Sequence, residues 1–407
     1  YADSHILTVD GRGDRETAAF FRADENGIRQ VFEILSLSDS SIGGVYETVT
    51  RLLGFGPHGQ GSTMALASYG IPEFDLSPFL KVRSLRNCAI HENGIFESFG
   101  HLERKRSDEL NDAQRNLAAS LQKALEESLY ALVKEGVGSD TLQRLCMAGG
   151  VALNCRANET LRRRFGLEEI FIQPAANDAG TALGAAFEAH RFAYGERPGA
   201  RMQSALSGPA FSRDEVRETL KRLDVAFSEP EDPAAEAAHL LATGEVLCLF
   251  EGAMEYGPRA LGARSIIADP RRADNNARIN QMKNREAWRP FGPSVLAGHE
   301  NAWFERAFDS RFMLFTQKIK PSKLALIPAV AHVDGSTRPQ VVHREIQPFY
   351  HSLISEFLRL TGVPMVLNTS FNAGGEPIVC TPADALKTFM RTGADILLIE
   401  GLLVYRR

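Results

Sequence analysis

Residues 147–154 read MAGGVALN, and this stretch decides the fold of the first half of the chain. The preceding TLQRLCMA has the character of a strand, the following VALNCRANETLRRRF has helical spacing, and Gly149-Gly150 make a tight turn between them. Paired glycines at a strand-to-helix junction let backbone amides approach an anion, and the helix N-terminus adds its dipole. The same arrangement also serves as a plain tight turn. Asn154 either meets a ligand or faces solvent on the first helical turn.

Outward from this junction the pattern alternates strand and helix. Downstream, the strand EEIFIQP reaches the loop AANDAG and the small-residue helix TALGAAFEAHRFA. Upstream, Leu110, Ala113, Leu117, Leu121, Leu125, Leu129 and Leu132 recur with helical period over 108–135, with Asp108 or Asn111 as the cap. A further helix is expected over 43–53. The chain opens with SHILTV, an Asp10-Gly11 turn, ETAAFFRA and RQVFEILSLS, which together predict an antiparallel meander.

At 407 residues the chain is long for one core, and two domains are expected. The Gly-, Pro- and Ser-rich stretch 194–210 marks a linker between 1–193 and 211–407. The second part opens with helices SRDEVRETLKRL and AAEAAHLLATG and the strand EVLCLFEG. It closes with the buried strand PMVLNTSF, the capped helix PADALKTFMRT and two strands in ADILLIEGLLVYRR.

Composition sets the outer bounds. With 44% hydrophobic and 24% charged residues and a net charge of −5, neither disorder nor membrane burial is expected, and nucleic acid is a poor partner for a net-negative chain. The basic runs Arg162-Arg163-Arg164 and Arg104-Lys105-Arg106 lie beside acids and read as solvated faces. Five widely spaced cysteines without a CxxC support neither a disulfide framework nor a zinc knuckle, and a reducing cytoplasm fits them. No apolar run reaches the length of a membrane helix and no signal peptide opens the chain. The start, without Met and entering a strand at once, predicts a further segment upstream.

Two sets of residues carry chemistry, and a third stretch imitates one. Asp10 ends a strand and Asp178 lies in a loop after one, so the pair can hold a divalent metal through oxygen; read singly, Asp10-Gly11 is a hairpin turn and Asp178 a helix cap. In the second part, EGAMEYGPRALGARSIIADPR and INQMKNREAWRPFGPSV place Arg259, Arg264, Lys283, Arg285 and Arg289 among glycines, prolines and aromatics, with Arg338 and the cluster Asn368, Thr369, Ser370 as further donors. Rigid turns with several cations suit an anionic substrate; an ion-paired surface is the alternative for any one of them. The third stretch, GPHGQGST at 56–63, has P-loop spacing, but Ser62 stands where the lysine belongs and a helix-like segment precedes it, so it is no phosphate loop.

In this order and spacing, LTVDG, GGVALN with NDAG, MEYGPRALGARSIIADPR, MKNREAWRPFGPSV and VLNTSFNAGGEPIV resemble the O-carbamoyltransferases of the NodU/CmcH type over nearly the whole chain. The resemblance implies an α/β protein in which an actin/hexokinase-like (ASKHA, threonylcarbamoyltransferase-like) domain precedes a YrdC-like α/β domain. It implies that carbamoyl phosphate and ATP, the latter with Mg2+, form carbamoyl adenylate in the second domain, and that the carbamoyl group then passes to a hydroxyl of a small-molecule acceptor such as an aminoglycoside, a cephem or a polyketide macrocycle. Asp10 and Asp178 become ligands of a divalent metal, Fe2+ in kind. Gly149, Gly150 and Asn154 line the nucleotide in the first domain, and Arg259, Lys283, Arg338, Asn368 and Ser370 hold carbamoyl phosphate and the adenylate. The family's His-x-x-x-His metal motif lies upstream of the segment corresponding to residue 1, and Ser62 replaces a family lysine. A sugar-kinase-like phosphotransferase and a metabolite-binding module are the competing readings.

Overall fold

Apolar alternation in the opening meander is realised as strands: β1 (Ser4–Val9) turns Leu7 and Val9 into the core, β2 (Glu16–Asp24) pairs antiparallel with it, and β3 (Gly27–Leu35) pairs antiparallel with β2. The structure, a computed structural model, describes residues 3–35, 40–84, 87–195 and 202–406. Residues 36–38 of the expected third strand lie outside them. The chain divides into units of residues 1–201 and 202–407.

In the first unit, α1 (Ile42–Leu52) and α2 (Gln60–Leu66) are joined by the turn at 57–59. Ser62 and Thr63 are therefore helical and buried, with the Thr63 hydroxyl donating to Thr50 Oγ1 at 2.9 Å rather than facing a ligand. The hairpin β4 (Leu80–Ser84) and β5 (Asn87–Ile90) and the short α3 (Ile95–Phe99) lead to α4 (Asp112–Val137). Asn111, not Asp108, caps α4: its side chain accepts from Gln114 N–H at 2.9 Å while Gln114 Oε1 accepts from Asn111 N–H at 3.0 Å. Such a reciprocal cap stabilises by about 1 kcal/mol.

Next, β6 (Arg144–Ala148) runs parallel to β1 and β7 (Glu169–Ile172) parallel to β6. The sheet order is β3-β2-β1-β6-β7, with β2 antiparallel to the other four. The loops that follow β1, β6 and β7 thus emerge at one edge, where α/β sheets place ligands. The helix expected directly after Gly149-Gly150 is interrupted: Gly150–Leu153 is a 3-10 turn, Asn154 is extended, and α5 (Cys155–Phe165) starts afresh. The cause is local, because the Asn154 side chain accepts from Ala157 N–H at 3.0 Å and caps the new helix. The last helix of the unit, α6 (Thr181–Tyr194), buries none of its residues, and Phe187, Phe192 and Tyr194 are exposed. Arg104, expected on a solvated face, is instead buried: its Nε donates to Leu53 O at 2.8 Å and its Nη1 to Asp108 O at 2.5 Å.

The second unit is built on a larger sheet. After α7 (Arg213–Arg222) and α8 (Pro233–Thr243) come β8 (Leu247–Phe250), β9 (Arg264–Ala268), α9 (Asp274–Met282) and β10 (Gly292–Leu296). The short α10 (Glu300–Trp303) and the two-residue strands β11 (Gln317–Lys318) and β12 (Ser336–Thr337) precede β13 (Gln340–Val342). Then follow α11 (Pro348–Thr361), β14 (Met365–Ser370), α12 (Pro382–Thr392), β15 (Ile396–Ile399) and β16 (Leu402–Tyr405). Their order is β13-β10-β14-β9-β8-β15-β16, mixed in direction. Every residue of β8, β9, β10 and β15 is buried, as expected of strands covered on both faces. Tyr350, Leu353 and Phe357 of α11 and Leu386 and Phe389 of α12 pack into the same core.

Of the stretch 194–210, residues 196–201 lie outside the described residues, whereas 205–209 are bound to this unit. Tyr256 N–H donates to Ala205 O, Gly208 N–H to Met254 O and Met254 N–H to Pro209 O.

One glycine fixes the first sheet's edge. Gly149 has φ +92°, and a Cβ there would lie 2.1 Å from Val9 O, so backbone meets backbone. Gly149→Ala should lower the unfolding free energy by about 1–3 kcal/mol or more; denaturant titration of the full chain with an unchanged midpoint would contradict this close approach.

Candidate functional site

The first sheet edge gathers three of the five sequence-predicted residues of its unit. Asp10 follows β1, its Oδ1 accepting Gly11 N–H at 2.6 Å. Its carbonyl accepts the Thr17 hydroxyl at 3.0 Å and Gly43 N–H, from the start of α1, at 3.3 Å. Glycine is required at 43 because a Cβ would meet Gly11 Cα at 2.6 Å. Gly149 N–H donates to Ala176 O at 2.7 Å, and a Cβ on Gly150 would stand 3.1 Å from Asp10 Oδ1. Asp10, Gly149 and Gly150 are thus in contact, and the loop after β7 is tied to them through Ala176.

Asp178 sits on that same loop, exposed, its carbonyl accepting the Thr181 hydroxyl at 2.6 Å. Asn154 is placed differently: its amide is spent on capping α5 and on a two-way pairing with Gln122 of α4 at 3.0 and 3.1 Å. Asp10 and Asp178 each offer oxygen donors, from the loops after β1 and β7, and no bond joins the two. Among the described residues no group of three or more His, Cys, Asp and Glu side chains is gathered to hold a metal, so the donors present are fewer than a complete site needs.

In the second unit the ends of β8, β14 and β15 and the starts of β9 and β10 share one edge, as their pairing directions dictate. Lys283 follows α9 and is 3% exposed. The three protons of its ammonium are shared among four acceptors: Ser370 O, Ser370 Oγ at 3.2 Å, Asn372 O at 3.0 Å and Asn372 Oδ1 at 2.6 Å. All four acceptors are neutral. Burial above all, with the charges of Arg285 and Arg289 adding to it, holds the amine well below the ordinary lysine range.

Arg285 is pushed the same way by burial and by Arg289 and Arg338, with Glu286 opposing. Its Nε donates to Asn280 Oδ1 at 2.6 Å and its guanidinium stacks on Phe291 at 4.5 Å. The charges of Arg285 and Arg289 thus act on Lys283, and those of Arg289 and Arg338 on Arg285, so the four cations form one cluster. An anion arriving there relieves that repulsion.

Backbone contacts assemble this cluster. A Cβ on Gly374 would lie 2.3 Å from Lys283 O, and one on Gly292 would lie 2.3 Å from Arg338 O. Gly292 is in register with Asn368, and the Asn368 amide donates to Ala260 O, next to Arg259, at 3.2 Å. The five predicted residues Arg259, Lys283, Arg338, Asn368 and Ser370 thus come to one region of one sheet edge. Asn368 is 2% exposed and its amide also donates to Ser294 Oγ at 2.9 Å, inside a buried network.

Two placements were not anticipated. Asn372 supplies two of the four acceptors of Lys283; its position two residues beyond Ser370 at a strand end was the available signal. Arg264 is fully buried, stacks on Phe250 at 3.5 Å and donates to the carbonyls of Gly252, Ala263 and Pro209, so it ties loops together instead of joining the cationic cluster.

An acidic pair occupies the neighbouring strand ends. Glu251 Oε1 accepts Gly401 N–H, and Glu400 Oε1 accepts Gly252 N–H, both at 2.7 Å. Burial first, then the charge of Glu400, pushes the Glu251 carboxyl up to about 8, against the pull of Arg264 and Arg213.

Comparison with known proteins gives a consistent result. The family description "Carbamoyltransferase N-terminus" matches residues 1–187 and "Carbamoyltransferase C-terminus" matches residues 238–406. The chain is 36% identical to the uncharacterized protein sll1178 of Synechocystis sp., over 99% of this chain and 73% of that protein. It is 38% identical to nodulation protein NolNO of Sinorhizobium fredii, over 100% of this chain and 61% of that protein. With nodulation protein NolO of Bradyrhizobium diazoefficiens the identity is 34%, over 100% of this chain and 76% of that protein. The chain therefore spans from 61% to 76% of the length of these relatives.

The acidic pair has a measurable consequence. Between the ordinary carboxyl value of 4.5 and about 8, the folded chain keeps a proton on Glu251 that the unfolded chain has lost, so stability is present at low pH and falls as pH rises through that window. Glu251→Gln should flatten the decline by about 1–3 kcal/mol between pH 5 and 9. Denaturant titration across pH checks it; identical slopes for the two proteins would contradict a proton held at Glu251.

Proposed function

Because this chain belongs to the carbamoyltransferase family, we propose that it transfers a carbamoyl group from carbamoyl phosphate, activated with ATP, to a hydroxyl of a small molecule. The observation that carries this reading is the desolvated Lys283 ammonium among Arg285, Arg289 and Arg338, a cluster that favours a polyanion. Carbamoyl phosphate and the triphosphate of ATP are both polyanions.

The chemistry balances in three steps. Water cleaves carbamoyl phosphate to carbamate and inorganic phosphate. A carbamate oxygen attacks the α-phosphorus of ATP, which carries its own Mg2+, and pyrophosphate leaves, giving carbamoyl adenylate. The acceptor hydroxyl then attacks the carbamoyl carbon, AMP leaves with the bonding pair, and the hydroxyl proton is released. Activation is needed because AMP is a far better leaving group than the oxide of a bare carbamate.

In this proposal Lys283, Arg338 and Arg259 neutralise charge on the phosphates, and Ser370 and Asn372 aim the Lys283 ammonium. Asn368 acts from beneath, through its bond to Ala260 O. The transfer step belongs to the first unit, where N–H groups of the Gly149-Gly150 turn other than that of Gly149, which is bonded to Ala176 O, donate to a nucleotide phosphate and Asp10 and Asp178 contribute oxygen donors to a divalent ion, iron in kind, whose other ligands lie outside this pair. Asn154 enters as the cap that holds α5 at that edge. The relatives named as nodulation proteins support a small hydroxylated acceptor.

Incubated with carbamoyl phosphate and ATP, the full chain should release pyrophosphate and AMP, and Lys283→Ala should cut the carbamoyl-phosphate-dependent release of pyrophosphate by about 10²-fold or more. Full release by the variant would remove Lys283 from the site. ADP as the nucleotide product would instead make the first unit a phosphotransferase.

A further inference from the structure

Arg259 rides on a segment, 256–263, that has no helix or strand of its own. Such an arch is ordinarily free to move, yet here nearly every backbone group near its far end is claimed. One oxygen of Glu255, a residue 4% exposed, accepts three amides: Leu261 N–H at 2.7 Å, Ala263 N–H at 2.8 Å and Arg264 N–H at 3.0 Å. From the other side, side-chain amides reach its carbonyls. Asn368 donates to Ala260 O at 3.2 Å, and Gln340 and Gln347 each donate to Leu261 O at 2.7 Å. Gly262, at φ +98°, lets the arch lie on the Tyr350 ring, which a Cβ would meet at 2.3 Å.

These braces come from the elements that carry the other cations. Gln340 of β13 lies two residues beyond Arg338, and Asn368 of β14 lies two residues before Ser370, which accepts from Lys283. Gln340 and Asn368 are further joined through Ser294, whose hydroxyl donates to Gln340 Oε1 at 2.7 Å and accepts from Asn368 at 2.9 Å. A charged acceptor binds amides about twice as strongly as a neutral one. Gathering three of them on a single buried oxygen fixes both ends of the loop that bears Arg259.

We propose that Glu255 is a positioning residue for the anion site: by collecting the amides of Leu261, Ala263 and Arg264 it sets Arg259 in a fixed relation to Arg338 and Lys283. The proposal rests on the reading that Arg259 meets the phosphates of carbamoyl phosphate. Its chemistry is indirect, since Glu255 itself touches backbone only among the bonds above. A misplacement of Arg259 by about 1 Å is enough to cost about 10²-fold in rate.

The test compares the full chain with Glu255→Ala, Glu255→Gln, Gln347→Ala and Arg259→Ala. The readouts are carbamoyl-phosphate-dependent pyrophosphate release, calorimetric binding of carbamoyl phosphate, and melting temperature. Glu255→Ala is expected to lose about 10²-fold in kcat/KM for carbamoyl phosphate, with KM raised. Glu255→Gln, whose amide oxygen can still accept the three N–H groups, should recover to within a few-fold of the parent. Gln347→Ala, which frees only one brace on Leu261 O, should fall between them at a melting temperature close to the parent's.

Parent-like kcat/KM and binding in Glu255→Ala, alongside a damaged Arg259→Ala, would overturn the positioning role and leave the proposed function standing. Parent-like behaviour of Arg259→Ala would overturn the underlying reading of Arg259 instead. Should Glu255→Ala not fold, Glu255→Gln and Gln347→Ala decide: a Gln variant as impaired as Arg259→Ala, or a Gln347 variant indistinguishable from the parent, would sink the proposal.

Discussion

A lysine ammonium withdrawn from water and held by four neutral oxygens is the constraint around which the second unit is arranged. Moving a charge into such a setting is unfavourable unless its hydrogen bonds are met, and Lys283 meets them with the end of β14 and the residues just beyond it. That requirement links α9, which delivers Lys283, to β14, which delivers Ser370 and Asn372, and it needs Gly374 so that the following turn can close over the Lys283 carbonyl. The neighbouring guanidinium groups make the ionised state still less comfortable. A polyanion beside these cations would offset that cost.

The first unit reaches a similar end through backbone alone. Where Lys283 depends on side-chain charge, the edge at Asp10 depends on main-chain atoms approaching more closely than any Cβ permits. Gly43 lies against Gly11, Gly149 against Val9, and Gly150 against the Asp10 carboxylate. The parallel strands β1, β6 and β7 aim their following loops in the same direction, so three stretches far apart in sequence share one ledge. Cations gather at one edge, while close-packed backbone and the Asp10 carboxylate line the other.

Much of this is legible in the sequence. Strand-like runs and the Asp10-Gly11 turn named the meander, an apolar run named β14, helical period named α4, and the glycines of MAGGVALN, read as an anion approach or a tight turn, lie against Val9. The cations of the GPRALG and MKNREAWRP stretches could be read as a group but not sorted. Arg264 looked equivalent to Lys283, and three-dimensional placement alone shows that it ends among carbonyls beside Phe250. Arg104 misled for a related reason, and Asn154, left between ligand and solvent, has a capping role that the sequence did not show. A polar residue among acids reads as exposed, yet each of the two satisfies buried backbone groups, which leave no trace in composition. Asn372 was hidden because its role comes from a residue 89 positions away.

The exposure of α6 carries a further implication. A fourteen-residue helix that buries none of its side chains is held by little besides its own backbone ladder, and isolated helices of that length are marginal in water. Its amide protons should accordingly trade with solvent deuterium many orders of magnitude sooner than those of β1 or β6, marking a separate low-energy opening unit at the end of the first sheet's connectivity.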